Sequence, residues 1–305
     1  MVNGIINVYK EKGYTSFDVV AKLRGIFHQK KIGHTGTLDP DAQGVLPVCL
    51  GKETRVCDLL TDKDKVYKAV LLLGQETDTQ DISGQVLNQA KVNVTEQAVY
   101  DAISQFIGRQ KQVPPMYSAL KVNGKKLYEL ARAGKEVERQ ARHVDLPAIE
   151  ILEIKFPVVK FRVECSKGTY IRSLCADIGE KLCCGGTMQS LVRTRVGEFR
   201  LADALTLAQL QELRDTERLE EALLPTDRIF SDFPMLHVEE KWRKLIDNGN
   251  AFYPGQTVEQ TTHPAGEWVR IYREDDSFVG IYAYDETKEW YKPVKIFPSN
   301  TESRK

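Results

Sequence analysis

The chain has 305 residues, of which 42% are hydrophobic and 28% are charged, a mix typical of a globular protein with enough apolar material for a core. No segment approaches the roughly 18 apolar residues of a membrane-spanning helix, and the first residues lack the basic and apolar regions of a signal peptide. We therefore expect a cytoplasmic protein with no membrane association.

The formal net charge is zero, but the charge is unevenly distributed along the chain. Residues 105–145 contain nine Lys/Arg and four Asp/Glu, whereas residues 203–240 contain three Lys/Arg and ten Asp/Glu. A locally basic segment is suited to binding the phosphates of a nucleic acid. Charge alone is equally consistent with two solvated surfaces.

The six cysteines do not form a C-x-x-C motif, and no histidine lies at metal-ligand spacing from them. The pattern argues against a zinc site and predicts reduced, mostly buried thiols. The chain also lacks a dinucleotide fingerprint and a P-loop. We predict no metal and no cofactor.

The first third of the chain alternates between strand and helix patterns. A strand is predicted at residues 4–9 and a helix at residues 17–27, with Ser16 as its N-cap. A short helix is predicted at residues 54–60 and a strand at 66–73, beginning near Tyr67. Thr95 is the predicted cap of a helix over residues 96–107, which Gly108 ends.

Residues 109–142 differ in kind, because the sequence VPPMY at 113–117 is incompatible with a regular helix. A short amphipathic helix is predicted at residues 127–132. Basic residues alternate here with Tyr117 and Tyr128, which favours a flap that grips a nucleic-acid backbone and stacks on bases. The candidate RNA-binding residues are Lys121, Lys125, Lys126, Arg132 and Arg142.

Strands are predicted at residues 144–155, 158–166 and 191–200, a helix at 169–182 and acidic surface helices at 205–224. Arg172 lies in the first turn of the helix over 169–182, where the helix dipole disfavours a cation. We therefore predict a carboxylate partner for Arg172, and Asp39 is the candidate.

The pattern breaks at residues 227–234, which we interpret as a domain boundary. A helix at 239–247 and strands at 268–273, 278–284 and 290–297 then predict a small β-barrel of about 65 to 70 residues. The polar residues 299–305 are expected to be frayed.

The most informative stretch is residues 33–48, GHTGTLDPDAQGVLPV, in which we predict a loop of about a dozen residues without helical or strand period before the apolar run 45–50. Loops of this length inside a domain are often functional. Pro40 restricts Asp39 to an extended or turn conformation, which presents its carboxylate on a rigid loop. Taken alone, Asp39 and Thr37 are equally typical of residues that only stabilise turns.

The sequence of residues 33–51 closely resembles the signature of the TruB family of tRNA pseudouridine-55 synthases. It reads GHTGTLDPDAQGVLPVCLG. Further stretches resemble the family in the same order along the first two hundred residues or so. They are KEKGYTS (10–16), YKAVLLLGQETDTQDISG (67–84), VPPMYSALKVN (113–123), GTYIRSL (168–174) and LVRTRVGEF (191–199).

The resemblance implies an α+β pseudouridine synthase fold, in which a mixed, largely antiparallel central sheet is flanked by helices. It implies a catalytic domain at 1–232, with residues 109–142 inserted as an RNA-binding thumb, and a small β-barrel PUA-like domain at 233–305. The implied partner is tRNA, bound through its T arm and, at the PUA-like domain, its acceptor stem. We expect a monomer without an obligate protein partner.

The resemblance also implies roles for individual residues. Asp39 matches the catalytic aspartate, and Arg172 is expected to pair with it and lower its pKa. The other residues implied at the substrate site are Tyr67, which stacks on the uracil, His34, which accommodates the extruded nucleotide, Leu191, an apolar wall of the base pocket, and Lys10. Asp41 has no equivalent family role and is interpreted as a turn residue. Glu11 and Val192 depart from the proline and arginine common in the family.

Pseudouridine formation detaches uracil from the ribose and rejoins it through carbon 5. Asp39 has three possible roles: attack on carbon 6 of the base, attack on carbon 1 of the ribose, or deprotonation of carbon 2 of the ribose to give a glycal. The sequence leaves all three open. Two other functions also stay open, an RNA-binding or RNA-folding protein without catalysis and a guide-dependent relative within a ribonucleoprotein.

Overall fold

The computed structural model describes residues 2–122 and 124–297, so the predicted frayed tail at 299–305 lies outside the described residues. Among those described residues, no helix is long and apolar enough to cross a membrane. Two compact units are present. The larger comprises Ile6–Cys49 and Val56–Ala222, and the smaller comprises residues 2–5, 50–55 and 223–297.

In chain order the strands are β1 (Gly4–Lys10), β2 (Ile32–His34), β3 (Gln43–Leu50), β4 (Lys65–Leu73), β5 (Gln75–Thr77), β6 (Val86–Gln89), β7 (Gly108–Gln112), β8 (Lys121–Val122), β9 (Lys125–Lys126), β10 (Arg142–Leu146), β11 (Ala148–Lys155), β12 (Val158–Cys165), β13 (Gly186–Val196), β14 (Phe199–Arg200), β15 (Met235–Val238), β16 (Trp268–Arg273), β17 (Phe278–Asp285) and β18 (Trp290–Ile296). The α-helices are α1 (Ser16–Ile26), α2 (Cys57–Thr61), α3 (Glu96–Ser104), α4 (Leu127–Arg132), α5 (Ile171–Lys181), α6 (Leu207–Asp215) and α7 (Arg243–Asp247).

The central sheet has the strand order β1-β3-β13-β4-β12-β11. Strand β13 runs parallel to β3, whereas β13 with β4, β4 with β12 and β12 with β11 are antiparallel pairs. The prediction of a mixed, largely antiparallel sheet is therefore confirmed. Its order places β3 and β4 on either side of β13, so residues at the ends of these strands lie close together.

One face of this sheet packs against helices α3 and α5. Leu71 and Phe161, which are fully buried on β4 and β12, contribute to this core together with Ile178 of α5. Burying such a side chain stabilises a fold by about 1.5–3 kcal/mol. Helix α5 approaches β13 so closely that a Cβ at Gly179 would overlap the backbone of Gly186. Glycine at this position therefore permits the packing of α5 on the sheet.

Helix α1 begins one residue earlier than predicted, because Thr15 and not Ser16 is its N-cap. The Thr15 hydroxyl accepts a hydrogen bond from Asp18 N at 3.0 Å, and Asp18 Oδ2 accepts one from Thr15 N at 2.8 Å. This reciprocal pair is a capping box, which a Thr-x-x-Asp spacing forms as readily as Ser-x-x-Glu. The Ser16 hydroxyl is thereby left for another partner. By contrast, Thr95 caps α3 as predicted, at 3.2 Å from Ala98 N.

Strands β7 and β10 pair antiparallel over Gly108–Gln112 and Arg142–Leu146, at the two ends of the basic insertion. Within it lie the short hairpin β8–β9 and helix α4, whose bounds are those predicted. The insertion therefore leaves and rejoins the larger unit through one two-stranded sheet.

The smaller unit contains a sheet with the order β15-β16-β17-β18 around a core that includes Leu236, Ile271 and Tyr282. The predicted strand-rich C-terminal unit is confirmed, but its sheet does not close into a barrel, since no strand pairing joins β15 to β18 in the part of the chain that the structure describes. Residues 248–267 contribute only single bridges, Val238 with Thr257 and Phe252 with Tyr291. Prolines and glycines in that segment disfavour continuous strand pairing.

Candidate active site

The loop that carries Asp39 is shorter than the sequence indicated. Because β2 ends at His34 and β3 begins at Gln43, only residues 35–42 lie outside strands. The loop is closed at its base by Thr35, whose backbone N and side-chain hydroxyl both donate to Pro47 O, at 3.0 and 3.2 Å. Asp39 O in turn accepts from Ala42 N at 3.1 Å, which forms the predicted turn around Pro40.

Two anchors hold the loop against the N-terminal part of the chain. The Ser16 hydroxyl, which does not cap α1, accepts a hydrogen bond from Leu38 N at 2.9 Å. Pro40 O accepts from Gly13 N at 2.9 Å and from the ammonium of Lys10 at 3.1 Å. Fixed backbone on both sides of Asp39 restricts where its carboxylate can point.

The Lys10 side chain is fully buried, yet its ammonium is satisfied by backbone carbonyls. It donates to Tyr14 O at 2.6 Å and to Glu11 O at 3.2 Å in addition to Pro40 O. Burial lowers the pKa of Lys10 to about 8, an effect that nearby Asp39 opposes. All three donors of this ammonium are therefore committed to the backbone around the loop.

Arg172 lies against Asp39, so the structure brings together the two residues that we expected to pair. Its Nε is 3.0 Å from Asp39 Oδ2, and its Nη2 is 3.4 Å from Asp39 Oδ1. The Arg172 side chain is 6% exposed and that of Asp39 is 41% exposed. The guanidinium is thus held inside the protein while the carboxylate stays accessible to a ligand.

The remaining donors of Arg172 face a carboxylate and two backbone carbonyls. Nη1 lies 3.5 Å from Asp81 Oδ2 and donates to Thr79 O at 3.0 Å, while Nη2 donates to Tyr117 O at 2.8 Å. These acceptors explain why a cation is tolerated in the first turn of α5. Through Tyr117, the same guanidinium connects the base of the insertion to Asp39.

Sequence reasoning did not single out Asp81, although it lies in a segment, residues 67–84, that resembled the family. Asp81 Oδ1 accepts from Thr79 Oγ1 at 2.8 Å and from Ser83 N at 3.0 Å, which fixes the carboxylate in a tight turn. The signal was present as an Asx-turn pattern, D-x-S, next to a buried strand. Only the fold places it beside Arg172.

The pKa of Asp39 is raised above its usual value, chiefly because surrounding protein desolvates the carboxylate. Arg172 opposes this shift and Asp81 adds to it. We had expected Arg172 to lower this pKa. Its contribution has that direction, but desolvation outweighs it, so the net shift of the Asp39 pKa is upward.

Tyr67 and Leu191 form an apolar wall beside the loop. They lie on neighbouring strands, since Leu191 of β13 pairs with Ala69 and Tyr67 pairs with Arg193. Both side chains are nearly buried, at 6% and 7% exposure, and both belong to the main core cluster. Burial raises the pKa of the Tyr67 phenol, which keeps it neutral at physiological pH.

Arg193 is a further buried cation beside the loop, and sequence reasoning missed it. It is 1% exposed, donates from Nε to Val45 O at 2.7 Å and from Nη2 to Gly36 O at 3.1 Å, and so supports the loop from below. The available signal was its spacing, because alternation along β13 places Arg193 on the same face as Leu191. The positive charge of Arg193 partly offsets the rise that burial causes in the Tyr67 pKa.

His34 ends β2 at the start of the same loop. Its ring Nδ1 is buried without a hydrogen-bond partner within the described residues. Burial lowers the His34 pKa and the positive charge of Arg193 lowers it further, so the imidazole is neutral at pH 7. His34 thus places an uncharged ring at the start of the Asp39 loop.

The five basic residues proposed for RNA binding lie in or beside the insertion and are largely accessible to solvent. Lys126 is half-buried, donates to the Tyr128 hydroxyl at 3.2 Å and lies 5.3 Å from the centre of that ring. Arg132 lies 5.5 Å from the same ring. Within the described residues, none of the five forms an ion pair or hydrogen bond with Asp39.

Together these groups make a site with a fixed, accessible carboxylate, a buried arginine that orients it, and an apolar wall with an aromatic ring. Among the described residues, Asp41 in contrast forms only a solvent-exposed pair with Lys12 at 3.7 Å. Such an arrangement can hold a planar ring against Tyr67 and present one carboxylate to it.

Comparison with protein families supports this description. Residues 24–171 match the model described as TruB family pseudouridylate synthase (N terminal domain), and residues 172–231 match the tRNA pseudouridylate synthase B C-terminal domain. The chain is 54% identical to tRNA pseudouridine synthase B of Lachnoclostridium phytofermentans, over 97% of this chain and 100% of that protein. It is 47% identical to the protein of the same name from Alkaliphilus oremlandii, over 97% of each chain.

Two solved structures similar to this chain are chains of larger complexes. One is a chain in an H/ACA RNP bound to a substrate RNA containing 2′-deoxyuridine, with 26% identity, a TM-score of 0.74, and coverage of 96% of this chain and 84% of that one. Another is a chain in a Cbf5-Nop10-Gar1 complex, with 28% identity, a TM-score of 0.73 and the same coverage.

Proposed function

Because the chain belongs to the TruB family of pseudouridylate synthases, we propose that it converts uridine 55 in the T arm of tRNA to pseudouridine and that Asp39 is its catalytic carboxylate. The observation that carries this proposal is the position of Asp39, on a loop anchored on both sides, paired with buried Arg172 and accessible to a ligand. The reaction is an isomerisation, so it consumes neither an oxidant nor water.

Asp39 supplies the ionised carboxylate that breaks and re-forms the glycosidic bond. Arg172 contributes to ionisation, because its charge opposes the rise in the Asp39 pKa, and its two bonds to the carboxylate fix the direction of approach. The attack on the base, the attack on the ribose and the glycal route all require this one carboxylate. Which of the three routes Asp39 follows stays open.

The uracil is held by the apolar wall. Tyr67 stacks on the detached base and Leu191 closes the pocket beside it, while neutral His34 accommodates the extruded nucleotide. Lys10 is a positioning residue, because its ammonium is committed to backbone carbonyls that include Pro40 O. Extruding a nucleotide from a folded arm costs a few kcal/mol.

The inserted thumb at residues 109–142 offsets part of that cost by binding the RNA backbone through the residues Lys121, Lys125, Lys126, Arg132 and Arg142. The Tyr117 carbonyl on Arg172 provides a physical connection between thumb position and the carboxylate. In the proposed organisation, residues 1–232 form the catalytic domain and residues 233–305 form a PUA-like domain that binds the acceptor stem. The enzyme acts as a monomer in the cytoplasm.

The proposal favours a stand-alone enzyme over a guide-dependent one. Its curated relatives named tRNA pseudouridine synthase B are 54% and 47% identical, whereas the chains in ribonucleoproteins are 26% and 28% identical. A reaction on naked tRNA, without a guide RNA or protein partner, is therefore the expected activity.

The test uses an unmodified tRNA transcript with tritium at carbon 5 of its uridines. The intact protein should release one equivalent of tritium per tRNA, and Asp39→Asn should release none while retaining tRNA binding. Asp41→Asn is the matched control, since it removes a carboxylate two residues away whose ion pair with Lys12 is exposed to solvent, and it should retain activity. Binding without release by the intact protein would instead favour an RNA-folding role.

A further inference from the structure

A groove on the larger unit lies between helices α1 and α6 and has a volume of about 390 Å³. Lys22, Gly25 and Ile26 of α1 line one side, with Tyr14 just before that helix. Leu207, Ala208, Gln211 and Arg214 of α6 line the other. Small residues on both helices leave the space open, and two cations border it. The groove shares no residue with the Asp39 cluster.

The two cations of the groove are not neutralised by the protein. Within the described residues, neither Lys22 nor Arg214 forms an ion pair, although Arg214 is half-buried. Asp215, the residue after Arg214, accepts instead from Gln211 Nε2 at 2.8 Å and is itself exposed. A concave polar surface with two unpaired cations is complementary to an anion.

Further basic residues lie in the sequence between Lys22 and the Asp39 loop. Between Asp18 and Asp39 the sequence contains four Lys/Arg, two of them in α1, and no Asp or Glu. Lys22 lies six residues, or about 9 Å along the helix, from Ser16, whose hydroxyl holds the Asp39 loop at Leu38 N. Lys22 therefore lies close enough along α1 for the backbone of an RNA strand whose nucleotide is bound at Asp39 to reach it, and the one carboxylate between Ser16 and Lys22, that of Asp18, is engaged in the capping box with Thr15.

We propose that this groove binds a backbone phosphate of the RNA substrate, with Lys22 and Arg214 as the two contacts. The inference rests on the proposed function for the identity of the RNA, but it assigns a surface outside both the thumb and the uracil pocket. Phosphodiester groups are the anions that a tRNA substrate brings to a surface near Asp39. The contacts position the RNA and take no part in the reaction.

The test measures the Kd of unmodified tRNA for the full-length protein at several KCl concentrations. The variant Lys22→Gln/Arg214→Gln should raise Kd about five- to tenfold at 0.1 M KCl and reduce the slope of log Kd against log salt by about 1 to 2, as expected for losing two phosphate contacts. Tritium release at saturating tRNA should keep its rate. The conservative variant Lys22→Arg/Arg214→Lys should restore both Kd and slope.

A matched control removes the same net charge elsewhere on the chain. Lys155 and Lys160 both pair with Glu153, so their replacement by Gln removes two positive charges that the protein already neutralises in part. The control should leave the salt slope within error of that of the intact protein. A groove variant that behaves like this control would overturn the proposal while leaving the synthase reaction standing.

Two further outcomes separate the possibilities. Suppose that the intact protein binds tRNA without releasing tritium, and that the groove variant still shows a reduced slope of log Kd against log salt. Phosphate binding by the groove is then supported, and the proposed reaction is refuted. If inorganic phosphate at millimolar concentration protects the intact protein but not the variant against thermal unfolding, and tRNA Kd is equal for both, the groove takes a free phosphate group. That result would also overturn the proposal.

Discussion

Replacement of Arg172 by methionine tests the central feature of the site. Methionine has nearly the same length but no donors, so the change removes the bonds to Asp39, Asp81, Thr79 O and Tyr117 O at once. Because the Arg172 side chain is only 6% exposed, water has little access to replace these partners. The expected effects are a loss of stability and a larger loss of activity.

The magnitude follows from the burial of each partner. Two backbone carbonyls each lose a charge-assisted hydrogen bond, at about 1–3 kcal/mol per group left unsatisfied. The pair with Asp39 adds no more than about 1 kcal/mol, because that carboxylate is 41% exposed and solvent screens it. We expect the free energy of unfolding to fall by about 3–5 kcal/mol, within the range for breaking a buried ion pair. The variant should remain folded at 20 °C.

Activity should fall further than stability. Loss of orientation at the carboxylate is expected to reduce kcat by about 10²-fold or more. Because Arg172 opposes the rise in the Asp39 pKa, its removal should raise that pKa further. The low-pH side of the kcat profile should therefore move to higher pH, since Asp39 must be ionised to react. Single-turnover tritium release across pH, with urea unfolding in parallel, measures both effects.

Arg172→Lys is the comparison variant, because lysine keeps the charge but lacks the planar fork that contacts several acceptors. It should preserve the pH profile better than Arg172→Met while losing much of the rate. The reasoning would be refuted by an Arg172→Met enzyme that keeps its kcat and its pH profile, or by a lysine variant that is indistinguishable from methionine at every pH.

Two other substitutions test the site and its support. Asp81→Asn removes a negative charge that raises the Asp39 pKa, so the acid side of the kcat profile should move to lower pH, and an unchanged or upward shift would contradict the electrostatic assignment. Gly44→Ala should lower the free energy of unfolding by about 2–5 kcal/mol in urea, since Gly44 has φ +107° and a Cβ there would lie 2.9 Å from Arg193 N. Gly25→Ala, in the last turn of α1 with no atom beyond the helix's own backbone within 4 Å of the new Cβ, is the control and should stabilise by up to about 1 kcal/mol.

Local signals predicted most of the secondary structure. Apolar alternation placed strand β4 and the two strands that follow the insertion, and polar caps placed α3, because both signals act between near neighbours in sequence. The N-cap of α1 was mispredicted because Ser16 can either cap a helix or bind a distant backbone group. Ser16 has the chemistry of an N-cap, but Thr15 forms the capping box and Ser16 binds Leu38 N instead.

The sequence predicted the strands of the small β-barrel but not that their sheet stays open, for a different reason. Strand periodicity identifies strands without indicating which edges pair, and β15, a strand of four residues, escaped the pattern. The order β15-β16-β17-β18 leaves β15 and β18 at opposite ends of the described sheet. Pairing between distant segments depends on packing that no short window of sequence contains.

For the active site, the sequence by itself determined the chemistry that was available: a carboxylate held before a proline, a tyrosine at the start of a strand and a cation at the start of a helix. The tertiary structure decided which of these meet. Arg172 and Asp39 are 133 positions apart and Arg193 reaches Gly36 across 157 positions. Contacts at such separation, and the desolvation that raises the Asp39 pKa, exist only when the sheet order brings the strand ends together.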